Sequence, residues 1–183
     1  MVFKLNSYNI ADCYEIQPLV MKDKRGSFTK IFHADSFSKL KLPIDFREEY
    51  YTKSTKGVIR GMHFQIPPHD HAKLVYCVQG DVLDVVVDLR IGSPSYGNIQ
   101  SFILSANKGN CIYIPKGLAH GFLVMSSEAS MVYKVTSQYS EEYDKGILWN
   151  SLNFTWPILA PIVSDRDLLL PAISEFESPF LYE

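Results

Sequence analysis

The chain is cut into many short β-favouring runs by turn residues at close, regular spacing. Leu74–Val78, Val82–Leu89, Ile99–Leu104, Cys111–Ile114, Phe122–Met125 and Met131–Thr136 are rich in Val, Ile, Tyr and Phe, which pack well on a pleated surface. Between them stand Gln79-Gly80-Asp81, Gly92-Ser93-Pro94, Asn107-Lys108-Gly109-Asn110 and Pro115-Lys116-Gly117. Such punctuation leaves no room for long helices and predicts an all-β sandwich or barrel. Helical signals are confined to two places. Ala34–Leu42 has Asp35 or Ser36 as N-cap and Pro43 as stop, and Asp165–Leu170 allows one turn after the cap candidate Ser164. With 183 residues and no repeat or linker, the chain reads as one domain over 1–183. The segment from about Trp156 onward is expected to pack over the barrel.

Charge and cysteine usage exclude several function classes. The net charge of −2 gives no basis for a nucleic-acid surface or a polybasic membrane patch. No apolar run approaches the ~18 residues of a membrane helix, and Met1–Ile10 lacks the apolar core of a signal peptide. The three cysteines, Cys13, Cys77 and Cys111, are odd in number and widely spaced, which argues against a disulfide framework or a CxxC knuckle. Cys77 and Cys111 sit in apolar runs as small buried residues, and a reducing cytoplasm is expected.

Five histidines are present. His63 lies in Arg60-Gly61-Met62-His63-Phe64-Gln65, where Gly61 allows a turn or a close backbone approach. By itself such a histidine reads as structural by default, with a catalytic base as the alternative. His120 ends the stretch Gly109–His120, which spells G-x5-P-x-G-x2-H and resembles the second conserved motif of the cupin superfamily, a small jelly-roll barrel. The expected fold is therefore an all-β, cupin-type jelly-roll β-barrel with a few short helices. Metal-binding cupins place a glutamate seven positions before the glycine that matches Gly80; here that position is Lys73, which repels a divalent cation and offers no lone pair. His69-Asp70-His71 supplies an HxH, but out of register with Lys73 and in a loop after Pro67-Pro68. A bound catalytic metal is not expected. Lys73 can instead supply a fixed positive charge to a developing oxyanion.

Taken together, ordered blocks along the chain resemble the dTDP-4-dehydrorhamnose 3,5-epimerase family, the metal-free sugar-nucleotide epimerases of the cupin superfamily. The blocks are Asp23–Phe28, Gly57–Pro68, Lys73-Leu74-Val75, Gly80–Arg90, Gly92–Gly97, Ile114–Phe122, Tyr133-Lys134, Gly146–Asn150, Trp156-Pro157 and Ser164–Asp167. The resemblance implies a step of deoxysugar (rhamnose, polysaccharide) biosynthesis: inversion of C3 and C5 of a nucleoside-diphosphate 4-keto-6-deoxyhexose through an enolate, with no cofactor. It makes His63 the base, Asp167 the carboxylate that orients it, Tyr133 the acid on the far face and Lys73 the enolate stabiliser. Without the resemblance, Asp167 reads as a helix-end carboxylate and Tyr133 as a core tyrosine. His120 would line the same cavity, contacting the sugar or supporting Lys73. Arg60 would bind near the pyrophosphate or sugar, Arg25 and Tyr139 the nucleotide. N-terminal residues of one subunit would complete the site of the other, so a homodimer is implied.

Three positions depart from the family pattern in what reads as the nucleotide pocket. Phe28 is followed by Thr29-Lys30 where an acid is usual two residues on; Glu48-Glu49-Tyr50 replaces Q-x-N; Ser151 follows Trp149-Asn150 where an acid is common. Phe28, Lys30, Glu48 and Tyr50 therefore join the expected substrate contacts, and the changes raise the alternatives of a CDP-linked or a single-carbon epimerase. A cupin sugar 3,4-ketoisomerase, a non-catalytic sugar-nucleotide module and a metal-dependent dioxygenase-type cupin are the other readings.

Overall fold

Side-chain alternation decides the architecture. In the computed structural model, which describes residues 3–182, the strand Glu128–Val135 buries Ala129, Met131, Tyr133 and Val135 and turns Glu128, Ser130, Val132 and Lys134 outward. That period-two pattern lets a strand place one face on a core. The strands are β1 (Phe3–Ser7), β2 (Tyr14–Pro18), β3 (Val20–Asp23), β4 (Gly26–Thr29), β5 (Glu48–Thr55), β6 (Ile59–Gln65), β7 (Lys73–Gln79), β8 (Asp81–Asp88), β9 (Ile99–Ser105), β10 (Cys111–Ile114), β11 (Leu118–Val124), β12 (Glu128–Val135) and β13 (Asp144–Gly146). Helices α1 (Ala34–Lys39) and α2 (Asp165–Leu168) are short.

Two antiparallel sheets form the body, β1-β2-β10-β7-β12-β5 and β13-β6-β11-β8-β9, while β3 and β4 make a separate hairpin. Val75, Cys77, Ile112, Met131 and Tyr133 of the first sheet pack between the layers against Val82, Val86, Phe102, Leu118 and Phe122 of the second. The expected mostly-β barrel with short helices is therefore present. Each of the six predicted strands appears. The largest boundary difference is in β11, which begins at Leu118 rather than Phe122, so His120 lies within a strand.

Two expectations need correction. The N-cap of α1 is His33, not Asp35 or Ser36, and its side chain makes no capping bond; Phe37, fully buried, fixes this turn instead. The layer over the second sheet begins earlier than Trp156: Ile147 and Leu152 already pack with Trp156 and Phe180 on Phe64, Val85 and Leu123. Ser164 does cap α2, accepting from Asp167 N at 3.2 Å. All three cysteines are buried and unpaired. No helix of the described residues is long and apolar enough to cross a membrane.

Candidate active site

A cavity of about 320 Å³ opens between the two sheets, and its chemistry comes from strands of both. From the second sheet, β6 supplies Arg60 and His63 and β11 supplies His120; from the first, β5, β7 and β12 supply Tyr50, Lys73 and Tyr133. His63 and His120 are direct register partners. Their strands meet closely because residues 61 and 121 are glycines: a Cβ on Gly61, at φ +130°, would lie 2.5 Å from Gly121 Cα. Beyond this approach the register slips between His120 and Phe122.

Two histidine–carboxylate pairs result. His63 Nε2 lies 2.7 Å from Asp167 Oδ1, and Asp167 Oδ2 accepts from Gly61 N at 3.1 Å. Burial opposes ionisation of Asp167, but the hydrogen bond and charge of His63, the Gly61 amide and Arg166 hold its carboxyl below the usual range. An ionised carboxylate only accepts, so Nε2 carries the proton and Nδ1 is left as the basic nitrogen. The second pair, His120 Nε2 and Asp84 Oδ2 at 2.8 Å, is buried. Burial raises the Asp84 carboxyl against the opposing pull of His120 and Lys73, and its Oδ1 is buried without a hydrogen-bond partner.

Lys73 is 5% exposed, and Nζ donates to His63 O at 3.2 Å. Burial lowers its ammonium to about 8, although Asp144 and Asp84 pull the other way. Tyr133 is buried, and burial together with Tyr50 and Asp84 raises its phenol, overcoming the opposing effects of Thr52 and Arg60. It therefore stays neutral and able to donate. The ring stacks on Tyr50 at 4.8 Å and meets the His120 ring edge-on at 6.0 Å. Arg60 is exposed, its Nε donates to Ser54 Oγ at 2.9 Å, and among the described residues it makes no ion pair. A cation without a carboxylate partner is free for an anionic ligand.

Of the predicted residues, His63, Lys73, Tyr133, Glu48, Tyr50, Arg60, His120 and Tyr139 line the cavity, with Asp167 behind His63. Arg25, Phe28 and Lys30 do not. Arg25 is paired with Asp23 on the β3–β4 hairpin, where Phe28 is 55% exposed, and Lys30 follows that hairpin. Ser151 is also elsewhere: its hydroxyl donates to Leu148 O at 2.7 Å and accepts from Ile173 N at 2.9 Å, pinning the covering layer. Glu48 Oε2 is engaged by Tyr139 N at 2.7 Å. The departures thus form no cytosine-reading pocket within one chain. The sequence reading missed Asp84, Asp144, Arg166, Thr52 and Gln65. Arg166 Nη2 and Asp144 Oδ2 pair at 2.7 Å beside the cavity. Gln65 ties His69 O, Gln138 O and Ser140 N together, fixing the loop that carries Tyr139. His71, from the HxH, lines the cavity and is lowered to about 3 by burial, Lys73 and Lys116. Among the described residues, no three His, Cys, Asp or Glu side chains are grouped to hold a metal ion.

The chain is similar in sequence and in structure to proteins of known activity. A family model described as dTDP-4-dehydrorhamnose 3,5-epimerase matches residues 7–175. The dTDP-4-dehydrorhamnose 3,5-epimerase of Shigella flexneri is 42% identical over 162 residues, 87% of this chain and 90% of that one. The dTDP-4-dehydrorhamnose 3-epimerase of Streptomyces niveus is 36% identical over 167 residues, 90% of this chain and 81% of that one. A crystal structure of the 3,5-epimerase from Legionella pneumophila in complex with dTDP-4-keto-L-rhamnose superposes with a TM-score of 0.93 at 32% identity, covering 99% of this chain and 100% of that one.

Proposed function

The chain belongs to the dTDP-4-dehydrorhamnose 3,5-epimerase family, sugar-nucleotide epimerases of dTDP-4-keto-6-deoxy sugars, and from that premise we propose how its cavity works. His63 is the base and Tyr133 the acid. The observation that carries the assignment is that an Asp167-oriented imidazole and a neutral buried phenol enter one cavity from opposite sheets.

C3 and C5 of the sugar both flank the C4 ketone, so loss of either proton gives an enolate. His63 Nδ1 takes the proton, and Asp167 stabilises the imidazolium through Nε2. The C4 oxygen gains negative charge, which Lys73 meets from a site too dry to screen it. Tyr133 returns a proton to the opposite face, and its phenolate is reprotonated by solvent. Arg60, without a carboxylate partner among the described residues, holds the diphosphate, and Tyr139 borders the nucleotide.

Arg25, Phe28 and Lys30 are outside the cavity of their own chain, which supports a homodimer in which this hairpin serves the partner's nucleotide site. Three unpaired buried cysteines support a reducing compartment, the cytoplasm. The test is conversion of dTDP-4-keto-6-deoxyglucose, followed by NMR of the product ring couplings. Inversion at both carbons, abolished by His63→Ala, is expected. Inversion at C3 alone would favour the narrower reading, for which the Streptomyces niveus relative is the precedent.

A further inference from the structure

β5 is the last strand of its sheet, and its cavity-side row is Glu48, Tyr50, Thr52 and Ser54. Three of these hold a group proposed for binding or chemistry. Glu48 engages the Tyr139 amide, Ser54 the Arg60 guanidinium, and Tyr50 stands directly opposite Tyr133 in the β5–β12 register. The fourth, Thr52, has a buried hydroxyl that bears on the Tyr133 phenol and opposes the rise of its pKa.

The Tyr50 and Tyr133 rings stack at 4.8 Å with planes only 13° apart, and the His120 ring meets Tyr133 at 67°. One contact fixes the plane of the Tyr133 ring and the other its edge. A phenol serving two carbons on either side of C4 is sensitive to that plane, since a displacement of about 1 Å in a reacting group can cost about 10²-fold.

Resting on the reading of Tyr133 as the acid, we propose that Tyr50 is a positioning residue: its ring, stacked on Tyr133, sets where the Tyr133 hydroxyl delivers its proton. The enolate then has two fates. Proton return from His63 gives exchange with solvent but no inversion, whereas delivery from Tyr133 gives inversion. Loss of the stack shifts the balance from inversion to exchange. A residue that merely touched the nucleotide would act through KM and leave the balance alone.

The experiment follows dTDP-4-keto-6-deoxyglucose in D2O by NMR with wild type, Tyr50→Ala and Tyr50→Phe, counting deuterium at C3 and C5 and inverted product. Tyr50→Ala is expected to lower inversions per exchange event by about tenfold or more, with kcat falling more than KM rises. Tyr50→Phe, which keeps the stack, brings the ratio back toward wild type. Tyr50 is 39% exposed on an edge strand, so truncation opens no core cavity; if Tyr50→Ala does not fold, Tyr50→Leu gives the same comparison. An unchanged ratio with a raised KM overturns the inference alone. A wild-type protein that exchanges neither carbon overturns the functional reading and this inference with it.

Discussion

His63 Nε2 and Asp167 Oδ1 lie 2.7 Å apart, joining β6 to a helix 104 residues later. The bond fixes the histidine tautomer, and Ser164, by capping α2, fixes the carboxylate. The base is thus set by a carboxylate that the chain supplies from α2, far along the sequence.

Asp167→Asn keeps the shape but removes the charge that stabilises the imidazolium and can donate to Nε2, favouring the wrong tautomer. We expect kcat to fall by about 10²-fold or more with KM little changed. Steady-state kinetics on dTDP-4-keto-6-deoxyglucose checks this.

Lys73 must be protonated to stabilise the enolate, and its folded value is about 8. Activity of the free enzyme should therefore fall as pH rises through about 8. Asp84 pulls that value upward, so Asp84→Asn should move the alkaline limb to lower pH. A kcat/KM profile of both proteins reads the shift directly.

The same burial has a stability consequence of opposite sign. Lys73 is lowered from 10.5 to about 8 on folding, so between those values the unfolded chain binds more protons and stability rises with pH. Below about 8 the buried ammonium costs about 3 kcal/mol at 1.36 kcal/mol per unit. Lys73→Met should raise the melting temperature at pH 7 while abolishing turnover.

A side chain at residue 61 meets backbone, not a movable side chain: its Cβ would lie 2.5 Å from Gly121 Cα and 2.9 Å from His120 O. Gly61→Ala should cost about 1–3 kcal/mol or more and separate β6 from β11. Thermal unfolding with a parallel activity assay measures both.

Arg60→Ala removes the guanidinium proposed to hold the diphosphate. A hydrogen bond to a charged group contributes about 1.5–3 kcal/mol, so KM should rise by about 10- to 150-fold with a smaller change in kcat.

Much of the site was legible because its residues sit in dense local blocks. His63 lies beside two sequence-visible features, Gly61 and Arg60, and Lys73 was found by its distance from Gly80. Asp84 was also within reach: it shares strand parity with the core residues Val82 and Val86, which marks it as an inward carboxylate. Pairings that depend on register, such as Tyr50 with Tyr133, or on the docking of α2 beside β13, such as Arg166 with Asp144, leave no trace in spacing. Ser151 was misassigned because the chain beyond Ile147 folds back as a cover rather than a pocket wall. The α1 cap failed because a buried aromatic, Phe37, outweighed capping chemistry.

In the proposed mechanism one base and one acid act from opposite sheets. Deuterium incorporation at C3 and C5 in D2O tests it most directly, using wild type, His63→Ala and Tyr133→Phe. Exchange with inversion is expected in wild type, no exchange without His63, and exchange without inversion when Tyr133 loses its hydroxyl. Exchange that persists in His63→Ala, or full inversion in Tyr133→Phe, would contradict it.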